Sequence, residues 1–298
     1  MRITESIVHR NMNDSLGRLS SDLQKLNQQI ASGKRLIIPS DDPTGAAAAV
    51  SLHSNLDAMT QQKRNINSWR GWLKATEGAL SSASNVVSRA RELAVQMSNS
   101  TYSAAQRRNA AAEVDSLIGQ LVALGNTRYG NRYVFSGYQD DAAAFDTTEV
   151  GGSVTAVTYA GDDSHQEVKL GANSRMETSV TGEEAFQDAG DLFTALIGLR
   201  DSLNSNDPQA VSGYLGDLTA SGNNMATCGA SVGSRLSRLD MRETIIQDTV
   251  LANTTQLSEI EDADLITMVT NLQAKEVVYQ AALKTASEIG QLNLAAYL

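Results

Sequence analysis

The sequence predicts a mainly α fold: a long antiparallel helical bundle or coiled coil of paired N- and C-terminal segments, with a small β-rich inserted domain. Near both ends, apolar residues recur at alternating steps of three and four, which is the pattern of packed helices. Only three prolines interrupt the 298 residues, so long continuous helices are possible. β-branched and aromatic residues concentrate in one middle segment, which predicts the β-rich part.

The first predicted helix covers residues 4–32 and ends at Gly33, because glycine commonly terminates helices. One face of this helix carries an apolar stripe, here called the α1 seam. It consists of Met12, Leu16, Leu19, Leu23, Leu26 and Ile30. We expect the α1 seam to contact a partner helix and neighbouring subunits, since isolated amphipathic helices bury too little surface to be stable.

The second predicted helix runs from Pro43 to near Asn99, and a third covers about 103–127. Asp42 is predicted to cap the second helix, and Pro43 suits its first turn. The polar cluster at 98–101 is predicted to end it.

Residues 139–185 are predicted to form the β-rich insertion. Within it, 154–159 reads as a strand, 161–163 as a turn, and 167–170 as the returning partner strand. Residues 140–190 contain eleven acidic and two basic residues, a net charge of −9. We therefore expect an outward-facing, dispensable insertion that contributes little to the helical stack.

Helix is predicted to return at about Asp191, and a long helix is predicted to start at Asp207 and Pro208, with Asp207 as its cap. Eleven of fifteen heptad positions between 211 and 260 are apolar, which predicts a coiled-coil-like helix roughly 75 Å long. The final segment, 262–298, carries another apolar stripe. Its predicted subunit or helix contacts are Leu265, Met268, Leu272 and Leu283.

These elements predict three structural parts. Residues 1–42 and 262–298 would form a terminal helical assembly domain, and 43–138 with 186–261 a long-helix core. Residues 139–185 would form the acidic outer insertion.

Composition argues against several classes of function. The net charge is −10, which disfavours nucleic acid as a partner. The longest plainly apolar run is 46–50, too short to span a membrane, and residues 1–17 lack the apolar core of a signal peptide. Cys228 is the only cysteine, so no internal disulfide can form.

No residue pattern predicts a catalytic, metal or cofactor site. Residues 229–233 match the nucleophile-elbow pattern around Ser231, but that motif requires a preceding strand and lies here within a predicted helix. The three histidines are scattered without metal-ligand spacing. A secreted hydrolase using Ser231 is therefore kept only as a weak alternative, and the chain is predicted not to be an enzyme.

Both ends of the chain resemble the flagellin superfamily. Residues 31–43, ASGKRLIIPSDDP, are similar to its N-terminal signature, and 233–236, 260–264 and 295–298 are similar to its C-terminal core. The segments PSDDP at 39–43 and NRYVFSGY at 131–138, closing with Phe145, resemble its hook-associated members more than its filament flagellins.

The resemblance implies a structural component of the bacterial flagellum, exported without a cleaved signal by the flagellar type III apparatus. It implies an extracellular homo-oligomeric ring at the hook–filament junction, on which flagellin assembles. The implied partners are hook-associated protein 1, flagellin and a cytosolic export chaperone. The first alternative is a short filament flagellin, and another is a generic cytosolic coiled-coil adaptor.

Overall fold

A computed structural model describes residues 5–169 and 175–295, which are predominantly helical. The helices are α1 Glu5–Ser32, α2 Pro43–Met97, α3 Ala104–Gly125, α4 Gly182–Phe186, α5 Leu192–Asn204, α6 Pro208–Gly213, α7 Leu215–Glu261 and α8 Leu265–Ala295. The strands are β1 Arg128–Tyr129, β2 Arg132–Tyr133, β3 Phe145–Val150, β4 Ser153–Tyr159, β5 Glu167–Lys169 and β6 Arg175–Glu177. The predicted mainly α fold with a small β-containing insert is confirmed.

The boundaries of the first two helices follow the local chemistry of the chain. Gly33 has a φ of +69°, a conformation that glycine adopts without strain, and it directly follows α1. The helix α2 begins at Pro43 and runs for 55 residues. Asp42 precedes it, and its Oδ1 accepts a hydrogen bond of 2.9 Å from the backbone N–H of Gly45.

The predicted start of the long helix at Asp207 and Pro208 is wrong in one respect. Asp207 accepts hydrogen bonds of 3.0 Å from the N–H groups of Gln209 and Ala210, but this helix is only the short α6. The helical structure is interrupted at Tyr214. The hydroxyl of Tyr214 lies close to the backbone of Gly198 in α5. This packing gives a physical reason for the break before α7.

From residue 211 to residue 246, one position of each heptad is buried. These positions recur every seven residues, and each side chain is at most 3% exposed: Val211 (in α6), Leu218, Met225, Val232, Leu239 and Ile246. Glu243 occupies another ladder position, where it forms ion pairs with Arg70 and, at 3.9 Å, with Lys63 of α2. The polar interruption in the ladder is thus matched by basic residues of α2.

The predicted strand pairing across 161–163 is wrong. Strand β4 pairs with β3 through a turn at Gly151 and Gly152, whose φ angles are +65° and +87°. Strand β5 pairs instead with β6. The segment around Asp162 does not form a hairpin turn. Oδ1 of Asp162 instead accepts a 2.9 Å hydrogen bond from the N–H of Tyr138. Leu170, also assigned to the returning strand, lies outside the described residues.

The chain divides into two compact units, residues 1–60 with 247–298, and residues 61–246. The second unit contains an aromatic core formed by the four phenylalanines. Neighbouring rings in this core have centroids 5.0–5.9 Å apart. They are Phe135, Phe145, Phe186 and Phe193, each at most 2% exposed.

The insertion is not separate from the helical packing. Phe145 begins β3, yet its ring packs against Phe193 of α5 and lies close to the backbone of Gly125 at the end of α3. The side chain of Asn126 hydrogen-bonds both the N–H and the C=O of Phe145, at 2.9 and 2.8 Å. These contacts argue against the expectation that residues 139–185 contribute little to the helical stack. The three-part domain division itself stays a prediction.

Candidate functional site

The candidate site is an assembly surface in the unit formed by residues 1–60 and 247–298. Helices α1 and α8 pack against each other in this unit, and Lys275 forms an ion pair with Asp22 across them. All six residues of the α1 seam are half-buried, as are Met268 and Leu272 of α8. The contacts within one chain therefore cover these apolar side chains only in part.

The predicted stripe on α8 is divided in the structure. The half-buried positions include Met268, Tyr279 and Ala286, whereas Leu265 and Leu283 remain 48% and 45% exposed. At about 100° per residue, the two leucines lie roughly 60° from the centre of the covered face. The structure brings Met268 and Leu272 to the α1–α8 contact and leaves Leu265 and Leu283 at its edge. Their predicted role in subunit contacts stays a prediction.

Further apolar residues of α8 were missed in the sequence analysis. Ile266 is 82% exposed and Val277 is 65% exposed, and both lie on the side of the helix opposite the covered face. The sequence analysis followed a single apolar stripe of this segment, and Ile266 and Val277 were not among its predicted contacts. A helical wheel of the whole segment would have shown apolar residues on more than one side, which one α1 helix cannot cover.

Exposed apolar residues concentrate in this unit. Of eighteen large apolar side chains exposed in the described part of the chain, twelve belong to it. They are Ile7, Val8, Ile37, Ile38, Val50, Leu251, Leu265, Ile266, Val269, Val277, Val278 and Leu283. Among the unit's described side chains, only Gln29 and Ala49 are almost completely buried, at 8% and 4% exposure. Such a concentration is typical of a surface that binds other protein.

The described residues do not support the catalytic alternative. Ser231 lies within the continuous helix α7, whereas a nucleophile elbow requires a sharp turn between a strand and a helix. In the described ranges, no group of three or more histidine, cysteine, aspartate or glutamate side chains could hold a metal ion. None of the described helices is long and apolar enough to cross a membrane.

Cys228 is expected to react very slowly while the protein is folded. Its side chain is 4% exposed, and burial raises the pKa of its thiol to about 11, with Glu184 and Asp188 adding to the effect. From an ordinary value of 9.0, this reduces the thiolate fraction at pH 8 by about 100-fold. Maleimide labelling should therefore be at least about 100-fold slower in native buffer than in denaturant. Equal rates in the two conditions would show that Cys228 is accessible in the native protein.

Comparisons with known proteins agree with this architecture. Residues 3–140 match the bacterial flagellin N-terminal helical region, and 215–298 match the bacterial flagellin C-terminal helical region. The chain is 26% identical to flagellar hook-associated protein 3 of Salmonella typhimurium over 313 residues, which cover 99% of this chain and 98% of that protein.

Solved structures share the fold. A flagellar hook-associated protein from Vibrio parahaemolyticus matches with a TM-score of 0.68 at 19% identity, over 74% of this chain and all of that one. The flagellar junction protein FlgL from Legionella pneumophila matches with a TM-score of 0.60 at 15% identity, over 72% of this chain and 99% of that one. With the two flagellin regions together covering most of its length, the chain belongs to the bacterial flagellin family.

Proposed function

We propose that this chain is a structural subunit of the bacterial flagellum that forms the junction ring between hook and filament, on which flagellin assembles. The observation that carries this proposal is the similarity to hook-associated protein 3 over nearly the full length of both proteins. The proposed role is structural, so it requires no catalytic residue.

The exposed apolar surface of α1 and α8 supports an assembly role. Burying an apolar side chain of this size contributes roughly 1.5–3 kcal/mol. In a single chain the α1 seam is only half-buried, and Ile266 and Val277 face solvent. Contacts with further copies of the chain in a homo-oligomeric ring would cover these residues.

The remaining partners are part of the same proposal. A junction subunit would contact hook-associated protein 1 on the hook side and flagellin on the filament side, and an export chaperone before leaving the cytosol. Its place would be extracellular, reached through the flagellar type III apparatus without a cleaved signal. The resemblance of residues 39–43 and 131–138 to the hook-associated members supports these assignments.

A short filament flagellin is the second candidate, because the matching family regions are those of flagellin itself. The two functions are separated by complementation of strains lacking either the junction protein or flagellin. The junction role predicts that this chain restores filament attachment in the first strain and builds no filament in the second. Long filaments made of this chain alone would instead establish the flagellin role.

Substitution of Leu23 or Leu272 by glutamate is expected to block assembly. Each change places a charge among apolar side chains of the α1–α8 contact, where burial of a leucine contributes roughly 1.5–3 kcal/mol. Cells carrying either variant should export the protein but release flagellin into the medium, which immunoblots of culture supernatants would measure. Residues 61–246 should keep their thermal melt, since neither leucine belongs to that unit.

The control is Gln24→Glu, which adds the same charge at an exposed position beside Leu23. This variant should swim normally in soft agar. Normal filaments on Leu23→Glu and Leu272→Glu cells would contradict the assignment of these residues to the assembly surface.

A further inference from the structure

Two connectors of the first unit lie side by side. Residues 33–42 join α1 to α2, and residues 262–264 join α7 to α8. The N–H of Arg35 donates to the C=O of Glu261 at 2.6 Å, and the N–H of Ala263 donates to the C=O of Gly33 at 3.0 Å. These two bonds surround an isolated antiparallel bridge between Lys34 and Asp262.

The side chain of Glu261 adds a second set of contacts at the same place. Its Oε2 accepts from Nζ of Lys34 at 2.6 Å, and its Oε1 lies 2.9 Å from Nε2 of His53 in α2. Although Glu261 ends α7, its side chain is only 13% exposed, whereas those of Lys34 and His53 are about half exposed. One carboxylate therefore joins the first connector, α2 and α7.

The first connector is also attached to α1. Nε2 of Gln29 donates to the C=O of Arg35 at 2.7 Å, and Gln29 is 8% exposed. Nζ of Lys25 donates to Oδ1 of Asp41 at 2.6 Å. Hydrogen bonds thus run without interruption from α1 through residues 33–42 to Glu261.

We infer that this cluster, Lys34, His53 and Glu261 with the paired connectors, is a latch that holds the α1–α8 helix pair in its closed, mutually paired state. The inference does not depend on the junction role. The need for a latch follows from burial, because the α1 seam is only half-buried within the chain. The hydrogen bond from Lys34, with His53 in addition, lowers the pKa of Glu261, so both contacts favour the charged carboxylate.

A latch and an ordinary helix end differ in how much of the protein is destabilised when Glu261 is replaced. If Glu261 only terminates α7, its loss affects the last turn of α7 and the connector beside it. If the cluster is a latch, its loss also weakens α1 and α8 along their lengths, because these helices then open more often as a pair.

The test is hydrogen–deuterium exchange, measured by mass spectrometry on the full chain with Glu261→Gln. The matched control is Glu259→Gln, which removes the same charge at an exposed position of the same helix. The latch predicts about tenfold faster exchange of amides in both α1 and α8, with unchanged exchange in α3 and α5. The control should leave every segment unchanged.

Two further variants, Lys34→Ala and the double variant with Glu261→Gln, test the latch even if Glu261→Gln also disturbs other parts of the structure. Lys34→Ala should accelerate exchange in α1 and α8, and adding Glu261→Gln should accelerate it by less than the product of the two single effects. The inference is overturned if exchange rises only within residues 256–264 and 33–36. Multiplicative effects of Lys34→Ala and Glu261→Gln would overturn it equally, because independent groups do not form one latch.

Discussion

Replacing Phe145 by alanine is expected to destabilise the unit formed by residues 61–246 by about 3–5 kcal/mol, the usual cost of emptying a buried phenylalanine site. The ring is 2% exposed and lies 5.0–5.4 Å, between centroids, from those of Phe193, Phe186 and Tyr159. Its edge also fills the space beside Gly125 and Gly182, where added Cβ atoms would collide with it. Removal of the ring would leave a cavity among elements that cannot all close upon it.

Urea unfolding followed by tryptophan fluorescence measures this loss. Both tryptophans of the chain, Trp69 and Trp72, lie in the same unit as Phe145, so the signal reports the unit of interest. The control is Val150→Ala at the other end of β3, where the side chain is 67% exposed and the expected change is within about 0.5 kcal/mol. Equal unfolding midpoints for Phe145→Ala and the unchanged protein would show that the insertion is not part of the core.

The same contacts change what deletion of residues 140–184 should do. Such a deletion removes Phe145 together with other buried apolar residues of the segment, including Val157, Val168 and Met176. Helices α3 and α5 would then expose the surfaces against which β3 and β4 pack. Loss of the cooperative melt of residues 61–246 is therefore the expected outcome, in place of the stable helical remainder that the sequence predicts.

The contacts between the insertion and the helices could not be predicted from its charge and strand pattern, because these features report mainly on exposed side chains. A net charge of −9 describes the solvent-facing side chains of residues 140–190 and says nothing about one buried ring among them. The informative signal is the scarcity of phenylalanine. The chain contains only four, and all four meet in a single core that includes residues from within and outside the insertion.

The helices were predictable for the opposite reason, since their causes are local. Gly33 and Pro43 mark boundaries through backbone geometry alone, and from 211 to 246 one position of each heptad is buried, in agreement with the predicted spacing. The strand partners were not predictable in this way. Both possible turns, at 151–152 and 161–163, have suitable residues, and the choice depends on the distant contact between Asp162 and Tyr138.

The contacts of the α1 and α8 side chains were only partly predictable. Periodicity identifies Met268 and Leu272 as members of an apolar face, but it does not say how many neighbours cover that face. Ile266 and Val277 become significant only when the covered side of α8 is known. The contacts of Glu261 with Lys34 and His53 likewise could not be predicted without the fold, because these residues are far apart in the sequence.

Arg107 provides the second large expected effect. Its side chain is buried at 3% exposure near the end of α2, where it makes three hydrogen bonds. Nε donates to the C=O of Met97 at 3.0 Å, Nη2 to the C=O of Asn99 at 2.8 Å, and Nη1 to Oδ1 of Asn206 at 2.6 Å. Carbonyl groups at a helix C-terminus carry partial negative charge, so the guanidinium both caps α2 and is stabilised by it.

Arg107→Met keeps much of the apolar stem but removes all three donors, leaving the carbonyls of Met97 and Asn99 without them. Since a hydrogen bond to a charged group contributes about 1.5–3 kcal/mol and such losses are not additive, we expect a destabilisation on the order of 3–5 kcal/mol. Urea unfolding of the full chain, followed by tryptophan fluorescence, measures it. The neighbouring Arg108 supplies the control, because it is exposed and makes one 3.4 Å bond to the C=O of Ala104, so Arg108→Met should change stability by less than about 0.5 kcal/mol. If both variants unfolded at the same urea concentration, the hydrogen bonds of Arg107 would have no net role in holding the end of α2, and its burial would need another explanation.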